Sequence, residues 1–180
     1  MCSQDRQKKD DYDISIIRPQ VRNENIRIRA NGMSPSGLNK IKKGLHTLHT
    51  LELMAITIYR FQITKKPSEY NRQIIAAMLN EMTHYQDFQV KLYEYGFKPN
   101  IFRWAYWFVG FIFGFCSRLM GERAILKTGI WVETKAVAHY KELLSSIDWD
   151  DDTRKIIEKD QSDEYGHISR WENLLKSDKA

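Results

Sequence analysis

The chain is poor in cysteine, in long apolar runs and in nucleotide-binding signatures, and each shortage closes off a class of protein. Its two cysteines, Cys2 and Cys116, lie far apart in unlike surroundings. They offer neither a disulfide framework nor the paired spacing of a structural zinc or rubredoxin-type site, so a reducing compartment is expected. The apolar stretch Trp104–Ser117 is uncharged for only fourteen residues, short of the roughly 20 that a spanning helix needs. No glycine-rich dinucleotide fingerprint is present, and no basic run is interleaved with aromatics as on a nucleic-acid-binding face. The N-terminal residues lack the apolar core of a signal peptide, and their aspartates argue against a mitochondrial presequence.

What remains is an ordinary globular composition, with 28% charged and 42% hydrophobic residues in 180, enough for one domain with a genuine core. The net charge of +5 fits either a solvated surface or attraction to an anionic membrane face. Residues 1–33 read as a weakly structured arm, within which Ile14-Ser-Ile-Ile-Arg18 has no assigned role. Residues 34–180 read as a single helical domain.

Four long helices are expected. Ser34-Pro35 is a cap followed by a first-turn proline; the firm part of the first helix is placed near Leu45, because Gly37 and Gly44 weaken its start. Leu45, Leu48, Glu52, Ala55, Tyr59 and Gln62 form its inward stripe, and Pro67 closes it. The second helix spans about 68–95, with Ile74, Ala77, Glu81, His84, Phe88 and Leu92 inward. The third spans about 120–144, with Leu126, Glu133, Val137 and Tyr140 in register. The fourth runs from the Asp150-Asp151-Asp152 cluster, which suits a helix N-terminus, to about 175. Glu52 precedes Tyr59-Arg60 by the same seven residues that separate Glu133 from Tyr140-Lys141, so two related helical hairpins are the economical reading. The crossover between them, about 97–119, is rich in Trp and Phe and flanked by Arg103 and Arg118. It suits an element lying in a membrane interface, or one that packs across the bundle. Gly110 and Gly114 allow close helix packing or bending.

Two Glu-x-x-His tetrads carry the chemistry. Glu81-Met-Thr-His84 follows Glu52 by 29 residues, and Glu164-Tyr-Gly-His167 follows Glu133 by 31. A random order of 11 Glu and 5 His in 180 residues gives roughly 0.3 such tetrads. Four glutamates and two histidines on four helices make the ligand set of a carboxylate-bridged di-iron or di-manganese site. Four buried carboxylates need compensation, which two divalent metals supply, and carboxylate with imidazole suits iron or manganese. Bundle geometry puts Glu52 and His84 on one metal, Glu133 and His167 on the other, and Glu81 and Glu164 between both. Metal-bound histidines donate their free N–H to an acceptor, for which Asp163 and Asn80 are candidates. Tyr59 and Tyr140 are either hydrogen-bond donors near the site or core aromatics. His49 and His139 are read as supporting or surface histidines rather than a seventh ligand.

Over about residues 45–172 the chain resembles the demethoxyubiquinone hydroxylase family of ferritin-like di-iron monooxygenases. The resemblance rests on His49-Thr-Leu-Glu52 with Ile58-Tyr59-Arg60, on Glu81-x-x-His84, on Val132-Glu133 with His139-Tyr140, and on Asp163-Glu164-x-x-His167. The apolar segment 101–118 and Gly121-Glu-Arg-Ala124 also match. The family usually reads His-Ala-Gly-Glu at the first ligand and carries a further acidic residue after the third-helix glutamate; here Thr50-Leu51 and Thr134 stand in those places.

The resemblance implies an all-α, ferritin-like four-helix bundle and an O2-dependent di-iron monooxygenase. Its substrate would be a polyprenylated demethoxy-benzoquinol in ubiquinone biosynthesis, with NADH or the quinol itself as reductant. It implies a peripheral place on the membrane through residues 101–118: the cytoplasmic face of the inner membrane in a bacterium, or the matrix face of the mitochondrial inner membrane for a mature eukaryotic form. A homodimer, or association with other ubiquinone-biosynthesis proteins, is a further expectation. The alternatives are another ferritin-like di-iron hydroxylase, or a ferroxidase or iron-handling protein. A ferroxidase would form a soluble cage with no need of an aromatic crossover.

Overall fold

A computed structural model describes residues 23–177 and is helical throughout its regular structure. After a short 3-10 turn at Asn23–Asn25 come α1 (Pro35–Gln62), α2 (Glu69–Glu94), α3 (Arg103–Leu119), α4 (Glu122–Ser146) and α5 (Asp151–Ser177). The expected hairpins are α1–α2 and α4–α5; α1 against α4 and α2 against α5 close the bundle, and α3 lies over α1 and touches α4. The stretch Ile14–Arg18 falls outside the described residues.

Helix α1 starts ten residues earlier than Leu45. Ser34 Oγ accepts a hydrogen bond from the Gly37 amide, and Pro35 fits the first turn, so the cap outweighs the low propensity of two glycines. Gly44 is there for space: a Cβ would come within 2.8 Å of Trp149 and 2.7 Å of Ile147. At the α1–α2 turn, Ser68 caps α2 by accepting from the Asn71 amide. The Asn71 side chain then clamps both the amide and the carbonyl of Thr64, each at 2.8 Å.

All six expected inward residues of α1 and all six of α2 are buried. The apolar core falls into two clusters. One gathers Leu45, Leu48, Phe88, Leu92, Tyr140 and Ile157; the other gathers Ala55, Tyr59, Ile74, Leu126 and Trp171. Glu52, Glu81, His84, Glu133, Glu164 and His167 are buried too, although no core of this kind tolerates isolated charges.

Helix α3 reverses the usual pattern. Its buried residues are Gly110, Gly114 and Ser117, spaced four and three apart so that they share one face. A Cβ on Gly110 would stand 2.7 Å from the Met54 carbonyl oxygen, and one on Gly114 would stand 2.5 Å from that of Ile58. The glycines therefore bring two backbones together, and Gln62 seals the contact by donating to Ser117 Oγ at 2.9 Å. The bulky side chains point away: Trp104, Trp107, Phe108, Ile112, Phe113 and Phe115 are all exposed. Among the described residues no helix is long and apolar enough to cross a membrane.

Residues 26–33 are not featureless. The amides of Arg27 and Arg29 bond to Glu94, and the Arg29 guanidinium reaches Glu94, Asp150 and Asp152. This strap ties the end of α2 to the start of α5. Nothing local in the sequence marks it, because its partners lie 65 or more residues away.

Candidate metal centre

The six side chains singled out by spacing converge between the two core clusters. Glu52, Glu81, His84 and Glu164 can present one atom each within 4.8 Å of one another, and so can Glu81, Glu133, Glu164 and His167. Glu81 and Glu164 belong to both groups. Their oxygens divide accordingly: Glu81 Oε2 lies 3.3 Å from His84 Nδ1 while its Oε1 lies 2.9 Å from His167 Nδ1. Glu164 Oε1 is 3.2 Å from His84 Nδ1, and its Oε2 is 3.2 Å from His167 Nδ1. Each of these glutamates thus offers one oxygen to each half of the site. Glu52 stands on the His84 side at 3.8 Å and Glu133 on the His167 side at 3.5 Å.

The fit to a metal pair can be read from unmet valence. Both oxygens of Glu81, both of Glu164, and Nδ1 of His84 and of His167 are buried without a hydrogen-bond partner. Orphaned polar atoms are rare and costly in a protein interior. Six of them facing one point, four anionic oxygens and two imidazole lone pairs, are the donor set of a hard or borderline divalent pair.

Proton affinities report the same crowding. Burial pushes the Glu52 carboxyl up, His84 opposes the shift, and Glu81 and Glu164 add to it. Glu133 is likewise raised by burial and by Glu164 and Glu81. Burial would also raise Glu81, but His167 and His84 outweigh it and hold that carboxyl well below its usual range. Burial would lower both histidines, yet the carboxylates around them win: His84 is driven far above its ordinary value, and His167 is pushed up to about 12. Protons on the imidazoles do the work that two cations would do better.

Tyr59 and Tyr140 are donors as well as core aromatics. Each reaches across the bundle instead of serving the glutamate on its own helix. The Tyr59 hydroxyl donates to Glu133 Oε1, and that of Tyr140 donates to Glu52 Oε1 at 2.6 Å. Seven residues carry each tyrosine about 10.5 Å along its helix, too far to return to its own ligand, whereas the neighbouring helix brings the other glutamate level with it.

The outward nitrogens face α2 and α5. His84 Nε2 lies 3.2 Å from Asp163 Oδ2 and 3.2 Å from the Asn80 amide, which is also 3.5 Å from His167 Nε2. Asp163 is held down to about 2, chiefly by its bond to His84. Asp160 was not anticipated. Fully buried, it lies 3.6 Å from His84 Nε2, and burial raises its carboxyl to about 6. Its place four residues before Glu164 puts it on the ligand face, a signal that a lone carboxylate in a charged helix does not make conspicuous.

The structure does not bring His139 to the cluster. It is exposed, 4.0 Å from Glu142, on the rim of a cleft between α1 and α4. His49 is buried, stacked on Tyr85 at 4.1 Å, with Nε2 3.5 Å from Gln89. The cleft, about 240 Å³, is lined by Leu51, Met54, Ala55, Trp131 and Ala136, with Glu52 and Glu133 reaching into it. Trp131 stacks on Phe113 of α3 at 5.5 Å, so the cleft lies beside the exposed aromatic face. Thr50 and Thr134 turn back on their own helix, to the carbonyls of His46 and Ile130, and take no part in the site.

Comparison with known proteins returns one family. The model of the ubiquinone biosynthesis protein COQ7 matches residues 39–174. A mitochondrial protein of Dictyostelium discoideum, named as an NADPH-dependent 3-demethoxyubiquinone 3-hydroxylase, is 28% identical over 157 residues, covering 81% of this chain and 72% of its own length.

Proposed function

We propose that this chain, which belongs to the COQ7 family of ubiquinone biosynthesis proteins, is a di-iron monooxygenase that hydroxylates the ring of a polyprenylated demethoxy-benzoquinol at a membrane surface. The observation that carries the reading is the division of Glu81 and Glu164 between His84 and His167, with every inward donor atom of those four residues unpartnered. Glu52 and His84 would hold one iron, Glu133 and His167 the other, and Glu81 and Glu164 both. When bound, the iron pair supplies the redox chemistry that activates O2.

The chain's own residues do the rest. Tyr140 fixes Glu52 Oε1 and leaves Oε2, the oxygen on the His84 side, free for metal, while Tyr59 holds Glu133 Oε1, the oxygen that also faces His167. The two core clusters keep bulk water from the carboxylates. The α1–α4 cleft offers space for a ring: an apolar cavity of about 150 Å³ admits benzene, and this one is larger. Leu51, standing where the family commonly has glycine, forms part of its wall and shapes which ring substituents fit.

The aromatic face of α3 supports the membrane placement. Its exposed tryptophans and phenylalanines form a contiguous apolar surface of the kind that marks an interaction site; Arg103 and Arg118 flank it, and the chain is basic. A substrate with an isoprenoid tail could present its ring to the cleft while the tail stays in lipid. The relative's name points to a reduced nicotinamide as electron source.

The test uses iron-loaded protein on anionic liposomes with a short-tail demethoxyquinone, O2 and NADH or NADPH. Hydroxylated ring product, found by mass spectrometry, is the expected result. Iron oxidation without substrate-dependent product would assign the chain to iron handling instead.

A further inference from the structure

Around the centre, the α5 half carries more negative charge than its counterpart in α2. Glu81 and Glu164 mark equivalent positions, so Asn80 matches Asp163 and Ala77 matches Asp160. One acceptor is enough to orient His84, and Asp163 already supplies it. Asp160 is surplus to that task, lies too far from Nε2 to share the bond, and keeps Oδ2 buried with no partner. His84 Nε2, Asp160 and Asp163 nevertheless lie within the mutual range that holds a cation. From outside, Lys159 covers both carboxylates, at 3.2 Å from Asp160 and 3.4 Å from Asp163. Its side chain is mostly exposed, so it can swing into water at little cost. Beside it, Asn80, Ser162, Asp163, Gly166 and Arg170 line a recess of about 290 Å³.

We propose that Asp160 and Asp163, beside the outward N–H of His84, form a loading port through which divalent metal ions reach the buried pair of sites. The inference rests on the metal-centre reading above. A hydrated cation finds poor passage through the largely apolar α1–α4 cleft, where Lys135 repels it and only His139 on the rim could replace a water before Glu52 and Glu133. On the α2–α5 side two carboxylates replace them in turn, and the His84 ring forms the wall between port and interior, with Nε2 on one side and Nδ1 on the other. Lys159 holds the port closed to cations until it is displaced.

The experiment follows Co2+ uptake by metal-free protein in stopped flow, reading the visible absorption of the bound ion. Asp160→Asn should slow uptake about 10-fold, within the range by which focused charge alters association rates, with the same final occupancy. Lys159→Ala should speed uptake about 3-fold and steepen its fall with rising salt, because the port becomes more negative. A supporting role for Asp160 in holding His84 gives no reason for loss of Lys159 to accelerate anything. Unchanged rates in both variants, slower uptake in Lys159→Ala, or an Asp160→Asn protein that fills less completely without filling more slowly each overturn the port. Wild-type protein that takes up two Co2+ while showing any of these loses only the port; wild-type protein that takes up none loses the centre as well.

Discussion

The α1–α4 and α2–α5 faces of the bundle enclose the same ligand cluster in opposite surroundings. On the α1–α4 face each outer glutamate meets a tyrosine and an apolar cleft, with the aromatic face of α3 alongside. On the α2–α5 face the histidines meet an amide, two carboxylates, a lysine and an open polar recess. The ligands obey the internal twofold symmetry of the chain, and their environments do not. On the proposed reading a metal pair draws on the symmetric donors, whereas an apolar substrate and a hydrated ion would use the two unlike faces.

The comparison is broken most severely by removing what the faces share. Glu81→Ala or Glu164→Ala takes one donor from each half at once. Hydroxylation should fall about 10³-fold or more, the scale of losing several kcal/mol of metal charge stabilisation, and bound iron should fall by elemental analysis. Glu52→Ala, touching only the His84 half, should retain more iron than either.

A smaller effect separates the faces. Tyr140→Phe removes the donor to Glu52 without altering the polar side. A loss of about 10- to 100-fold in metal affinity or turnover is expected, as for other groups that orient ligands. Titration with Fe2+ measures the first and product formation the second. Asn80→Ala, on the other face, should act on metal affinity and leave the cleft unchanged.

Next comes the joint between α3 and α1. Gly114→Val places side-chain atoms where a Cβ alone meets the Ile58 carbonyl at 2.5 Å. Overpacking of this kind costs about 1–3 kcal/mol, seen as a lowered Tm. If α3 carries the membrane contact, flotation with anionic liposomes should weaken too, while metal content stays near wild type.

The smallest effect lies in the strap. Burial would raise Glu94, but Lys91 and Arg29 outweigh it and hold the carboxyl below its usual range; Asp150 is held down likewise by Thr153, Tyr95 and Arg29. Folded values below the unfolded ones, about 4.3 for Glu and 3.9 for Asp, mean that this stability is complete above the unfolded pKa and is lost as pH falls through the folded one. Arg29→Ala should therefore cost about 1–3 kcal/mol near neutral pH, and the gap from wild type should shrink as pH falls below about 4. Urea unfolding at neutral and acid pH measures it; a gap that widens in acid contradicts the assignment.

The clustering of the six side chains was legible because Glu and His three apart on a helix share a face, and a repeat of that pattern has little chance origin. Helix lengths and the hairpin pairing were legible from periodic stripes and from caps such as Ser34 and Ser68. The partners of Tyr59 and Tyr140 were not, since they depend on how far one helix is shifted along another, which no single stripe encodes. Asp160 escaped notice among the charges of α5. The glycines of α3 allowed close packing or bending, but that most of its aromatics turn outward while Phe111 packs on Phe61 is a property of the α1–α3 contact. The strap of Arg27 and Arg29 joins residues too distant in sequence for any local pattern to pair.

The most direct measurement is an anomalous difference map at the iron edge from crystals of iron-loaded protein. Two peaks, about 3.5–4 Å apart as in two-metal sites, are expected between Nδ1 of His84 and Nδ1 of His167, with Glu81 and Glu164 touching both. A single peak, or iron bound only at surface carboxylates, would contradict the account.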